Sequence, residues 1–170
     1  TDGGYFFTAA DAGDVIVRRK DAHDNATPSG NGTMVGVLAR LWSLTGIRRY
    51  RERAEEVVAT FAGEVDSNFF PLMTLMNNAE LLDSAVEIVI VGPPDDAATR
   101  ALVAAVHERC LPNKIVRLLP PDAALPDGHP AAGKGLVGGR PAAYVCRDQS
   151  CSAPVTAPAA LASLIQAGVD

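Results

Sequence analysis

Val86-Glu87-Ile88-Val89-Ile90-Val91 is the part of this chain with the plainest structural meaning. Its side chains are β-branched and apolar at every position except Glu87, and so continuous a run reads as a strand buried on both faces. Gly92-Pro93-Pro94-Asp95-Asp96 follows as a turn that ends in a helix N-cap. Ala97 to Cys110 predicts a helix with Leu102, Val103, Val106 and Cys110 inward, and Lys114-Ile115-Val116-Arg117-Leu118-Leu119 predicts a second strand. Together they make a β–α–β unit, whose crossover is right-handed almost without exception. Beyond it, Pro120 to Arg140 is rich in Pro and Gly and reads as a long loop. Ala142 to Cys146 reads as a third strand. Thr156-Ala157-Pro158 opens a last helix, Ala159 to Gln166.

Upstream of Ala85 the pattern is helical. Met34, Leu38, Leu41 and Leu44 recur at helical spacing and predict a helix over Ser29–Leu44, closed by Thr45-Gly46. Gly32 and Gly36 cost this helix propensity but let a neighbour approach closely. A second helix is expected over Arg48–Ala62, with Tyr50, Ala54, Val57, Val58 and Phe61 inward and Gly63 as its stop. A third is expected over Asn68–Leu82, capped by Asp66 or Ser67, with Pro71 in its first turn. Three helices with short links suggest hairpins packed side by side. Tyr5-Phe6-Phe7-Thr8 and Val15-Ile16-Val17-Arg18 read as short strands or extended segments.

The chain has 170 residues, 48% of them hydrophobic, which suits one ordinary domain or two small units. A net charge of −5 and a pI of about 5.1, with no basic cluster, exclude nucleic acid as an expected partner. The apolar runs are too short to cross a bilayer. Thr1-Asp2-Gly3-Gly4-Tyr5 carries no signal-peptide pattern and starts mid-pattern, as a piece of something longer would. Three cysteines, Cys110, Cys146 and Cys151, do not suggest a disulfide-stapled secreted domain, so the expected setting is cytoplasmic.

Two segments together resemble one family. Asp21-Ala22-His23-Asp24-Asn25-Ala26-Thr27-Pro28-Ser29-Gly30-Asn31, followed by the Leu-rich helix, is one. Tyr144-Val145-Cys146-Arg147-Asp148-Gln149-Ser150-Cys151-Ser152-Ala153-Pro154-Val155-Thr156 is the other. With Gly4–Thr8, Val15–Asp21 and the Val86 strand in the same order, they resemble the C-terminal part of the YyaL-like, spermatogenesis-associated thioredoxin-domain proteins. The resemblance implies a parent with an N-terminal thioredoxin-like domain and an (α/α)6 barrel similar to six-hairpin glycosidases and N-acylglucosamine 2-epimerases. The fold class expected on that basis is mainly α: helical hairpins of an (α/α)6 toroid with a small inserted β-α-β subdomain. Residues 1–84 would be the hairpins, 85–150 the insertion and 151–170 a closing segment and helix. The expected function is a carbohydrate-active, epimerase- or glycosidase-like toroid. The alternatives are a non-catalytic scaffold, or a thiol-linked partner of the thioredoxin-like domain.

Within that frame Asp24, His23 and Asp21 are the catalytic candidates. His23 would move a proton near neutral pH while Asp24 orients it or holds a hydroxyl. The alternative is a loop whose acids cap turns and helices. Ser29, Asn31 and Thr27 are the candidate sugar ligands, with helix capping as their competing role. Cys146 and Cys151 offer a redox pair or a structural loop closure; their spacing and the isolated His107 and His129 do not suggest a metal site. No cofactor is expected. Gly133-Lys134-Gly135 lacks the order of a phosphate-binding loop, and Gly92–Asp96 lacks that of a dinucleotide site. A partial toroid would leave apolar faces uncovered, which predicts self-association.

Overall fold

The structure is a computed structural model, and it describes residues 3–126, 128–148 and 150–167. Thr1 and Asp2 of the N-terminal pattern and Gln149 of the cysteine segment lie outside them. The chain divides into two compact units, Thr1–Asp83 and Ser84–Asp170.

The first unit is helical. Helix α1 spans Gly30–Thr45, with Ser29 as its N-cap and Gly46 beyond its end in the left-handed conformation that glycine tolerates. Helix α2 spans Arg48–Ser67 and runs straight through Gly63. A Cβ at Gly63 would meet no neighbouring atom, so this glycine costs only helix propensity, about 1 kcal/mol. The apolar face of α2, with Val57 and Phe61 buried, holds the helix together across that position. A 3-10 turn, Phe70–Leu72, precedes helix α3, Met73–Ser84, so the third helix begins later than its pattern suggests and takes neither Asp66 nor Ser67 as cap. Ala22, Val35, Leu38, Ala54, Val57, Phe61, Leu72 and Leu75 form the core. The segments around Phe6 and Val17 form no strand; Phe7 N–H bonds to the Arg19 carbonyl at 3.0 Å and the rest is irregular.

The first turns of α1 and α3 meet at Gly32, where a Cβ would stand 2.7 Å from the Leu75 nitrogen and 3.0 Å from the Thr74 carbonyl carbon. Both are backbone atoms and cannot rotate away. Gly32→Ala is therefore expected to destabilise this unit by about 1–3 kcal/mol, the usual range for overpacking. Urea unfolding followed by the fluorescence of Trp42, the chain's only tryptophan, measures it; an unchanged midpoint would show that the helices slide apart freely.

The second unit is a two-layer α/β structure. Strand β1 (Val86–Val91) pairs in parallel with β2 (Lys114–Leu119) across helix α4 (Ala97–His107). Strand β3 (Ala142–Arg147) lies antiparallel on the other side of β1, and the two-residue β4 (Ser150–Cys151) pairs with β3. The order is β2-β1-β3-β4. Helix α5 (Pro158–Gln166) packs beside α4, and both cover the same sheet face through Ile88, Ile90, Leu102, Val106, Val145, Leu161 and Ile165.

This arrangement overturns the mainly-α (α/α)6 toroid. The described residues hold five α-helices and a four-stranded mixed sheet, and the sheet organises half of the chain. The helix expected to close a toroid, α5, instead buries Leu161 and Ile165 against the sheet. The periodicity of α5 shows that it has a buried face, but not which partner receives that face.

Candidate functional site

The Asp21–Asn31 segment gathers the side chains of Asp24, Ser29 and Asn31 around the start of α1. Asp24 occupies the centre. One carboxylate oxygen accepts from Ser29 N–H at 2.8 Å, the other from Thr74 N–H at 2.7 Å. Its own N–H donates to the Pro71 carbonyl at 2.6 Å. The side chain thus caps the approach to α1 and the first turn of α3 at once, where backbone N–H groups lack helical partners. Partial burial pushes its pKa up, but the hydrogen bonds from Thr74 and Ser29 outweigh that and hold the carboxyl below its ordinary value. Ser29, itself buried, accepts from Gly32 N–H at 3.2 Å as the N-cap. Asn31, also buried, accepts from Tyr5 N–H at 2.7 Å and donates to the carbonyls of Tyr5 at 3.0 Å and Asp21 at 2.7 Å. It fastens the N-terminal segment to α1 and is not a cap.

The other candidates stand apart from this knot. The Asp21 carboxylate accepts from His23 N–H at 3.3 Å and lies 3.6 Å from the Arg19 guanidinium. The His23 ring points outward, its Nε2 3.2 Å from Glu64 Oε2, and both side chains are about half exposed. Thr27 is exposed and uses its carbonyl to accept from Asn25 N–H at 3.1 Å. So the segment brings Asp24, Ser29 and Asn31 together on backbone groups, and leaves His23 facing the side of α2.

The α/β unit holds a polar cluster that the sequence reading passed over. Glu87, Arg117 and Tyr144 project from the sheet face opposite α4 and α5, the face that Ala131 and Leu125 of the long loop cover. The Arg117 guanidinium, almost wholly buried, donates to the Glu87 carboxylate. Burial pushes Arg117 below its ordinary range, against the pull of Glu87. Lys134 is lowered too, first by burial and then by the Arg117 charge, with Glu87 opposing; its ammonium donates to the Pro130 carbonyl at 2.9 Å. Tyr144 donates its hydroxyl to the Gly135 carbonyl at 2.8 Å and pins the same loop. The signal was legible: one acid inside an otherwise apolar strand, and one arginine at a same-face position on the next strand, since both strands project alternate residues to opposite faces.

Cys146 and Cys151 face each other in register across β3 and β4 and form a disulfide; Cys110 is free and exposed. Among the described residues, no group of three or more His, Cys, Asp or Glu is placed to hold a metal ion, and no helix is long and apolar enough to cross a membrane.

Over nearly its whole length the chain is similar to spermatogenesis-associated protein 20. It is 29% identical over 175 residues to the Mus musculus protein, an alignment covering 96% of this chain and 21% of that one. The Rattus norvegicus and Homo sapiens forms of spermatogenesis-associated protein 20 match with the same identity and coverage. The likeness is homology, and the chain spans about a fifth of the length of the curated relatives it matches. No protein-family model matches.

Proposed function

We propose that this chain is a non-catalytic structural module of a longer protein, in which the Asp21–Asn31 segment fastens helices together and performs no reaction. The observation that carries this reading is Asp24, whose two carboxylate oxygens each accept a backbone N–H bond, from Ser29 and from Thr74. A carboxylate held ionised in this way is a poor proton carrier near neutral pH. The Ser29 hydroxyl and the Asn31 amide are likewise engaged with backbone groups. Val37 and Leu44 on one side of α1, with Phe70 in the 3-10 turn and Met73 at the start of α3, stand exposed and suit packing against further polypeptide. The partner in this proposal is the remainder of a longer parent, including the N-terminal thioredoxin-like domain that the family resemblance implies.

A second reading keeps acid–base chemistry on a sugar at His23, favoured by the outward-facing His23–Glu64 pair. Thermal unfolding with panels of mono- and disaccharides separates the two. The structural reading expects no sugar to raise the melting temperature of the wild type, and Asp24→Ala to melt lower whether or not sugar is present. A sugar that stabilises the wild type but not His23→Gln would replace it with the carbohydrate reading, because a ligand that binds the native state raises apparent stability.

A further inference from the structure

The two cysteines of the Cys146–Cys151 disulfide differ in exposure. Cys146 sits on β3 at 7% exposure, whereas Cys151 lies on the exposed two-residue strand at the rim of the sheet. The bond closes a short loop, and short loops gain least from closure. Backbone pairs beside it tie the same segment down without sulfur. Ser152 N–H donates to the Val145 carbonyl at 2.9 Å, and Ala143 and Val155 exchange bonds of 2.8 and 2.9 Å. Between the cysteines, Asp148 has φ 48°, a left-handed conformation uncommon for a non-glycine residue. Arg147 reaches from the same turn to the Leu164 and Ile165 carbonyls at 3.3 and 3.0 Å, at the end of α5.

From this geometry we infer that Cys146–Cys151 is an exchangeable disulfide, a redox modification site whose co-reactant is a dithiol reductant. A thiolate of the reductant attacks Sγ of the exposed residue, Cys151, and a new S–S bond forms there. The Cys146–Cys151 bond breaks, its electron pair leaves on Cys146 Sγ, and that sulfur takes a proton from solvent. The second thiol of the reductant then attacks its own sulfur in the mixed disulfide. Cys151 leaves as a thiolate and is protonated. The chain gains two electrons and two protons, and the dithiol becomes a disulfide. Access is one of the factors that direct thiol exchange to one sulfur of a disulfide, and here it favours the exposed residue. Reduction leaves the turn at Arg147 and Asp148 held by the β3–β4 backbone pairs and the Arg147 side chain, while the pairs at Ala143 and Val145 keep β3 in the sheet.

The test uses the whole chain with Cys110→Ser, oxidised, so that no third thiol interferes. Glutathione is added as a monothiol probe, the mixture is quenched by alkylation, and the adduct is located by mass spectrometry. Dithiothreitol is added in a parallel sample and amide exchange is followed. The expected results are a glutathione adduct on Cys151, two new thiols per folded chain with dithiothreitol, and faster exchange at Arg147 and Cys151 with Ile88 and Ile90 still protected. An adduct on Cys146 would overturn the inference. So would a bond that yields only when the chain unfolds, or a chain that does not form the bond on air oxidation. If Cys110→Ser folds poorly, the wild type with Cys110 alkylated beforehand gives the same readouts.

Discussion

Glu87→Ala lowers the stability of the α/β unit by about 3–5 kcal/mol, the usual cost of removing one member of a buried ion pair. Arg117 is about 2% exposed in its side chain and Glu87 about 21%, so the guanidinium is the more buried member of the pair. Amide exchange at Ile88 and Ile90, which report opening of β1, measures the effect. Glu87→Gln keeps an acceptor but removes the charge, and should fall between the two. The double replacement Glu87→Leu with Arg117→Met removes both charges of the pair and should recover part of the loss, since an apolar pair of similar volume can be neutral or stabilising. If Glu87→Ala costs less than about 0.5 kcal/mol, as an ordinary surface change does, the pair is not what holds this face.

Asp24→Ala is the second large effect, expected to cost the helical unit about 1.5–3 kcal/mol. Hydrogen bonds to a charged group contribute about 1.5–3 kcal/mol each, and partial exposure with solvent screening trims the sum of two. The loss should depend on pH in one direction. The folded carboxyl titrates below its ordinary value. Its contribution is therefore complete above the unfolded carboxyl's pKa and disappears as pH falls through the lowered folded value. Wild type and Asp24→Asn should accordingly differ most at neutral pH and converge in strong acid. Trp42 fluorescence in urea at a series of pH values reads this directly. A difference that grows on acidification would mean that Asp24 is not ionised in the fold.

Local elements were largely written in the sequence, because their causes are local. The run Val86–Val91 can only be a buried strand, and β1 has those bounds. Ser29 before a periodic helix and Asp96 before Ala97 cap as their side chains dictate, accepting from Gly32 N–H at 3.2 Å and Ala98 N–H at 2.8 Å. What was not legible depends on distant partners. Leu161 and Ile165 show a buried face, but only the sheet shows where it is buried. Asp24 owes one of its two bonds to Thr74, fifty residues away. His23 carries the chemistry of a proton carrier, yet its backbone places the ring toward Glu64 and solvent. The expectation of a toroid came from resemblance and not from residue periodicity, and the sheet is where it failed.

The neighbours of β1 impose an order on biosynthesis. Its parallel partner β2 follows after one helix, but its antiparallel partner β3 is separated from it by α4, β2 and the long loop. As the chain leaves the ribosome, β1, α4 and β2 can associate while the other rim of β1 still displays unpaired N–H and C=O groups. That rim is sealed only when Ala142–Arg147 has emerged and docked. Until then the nascent chain offers a template for any extended segment nearby, which makes this the interval in which a holdase would protect it most.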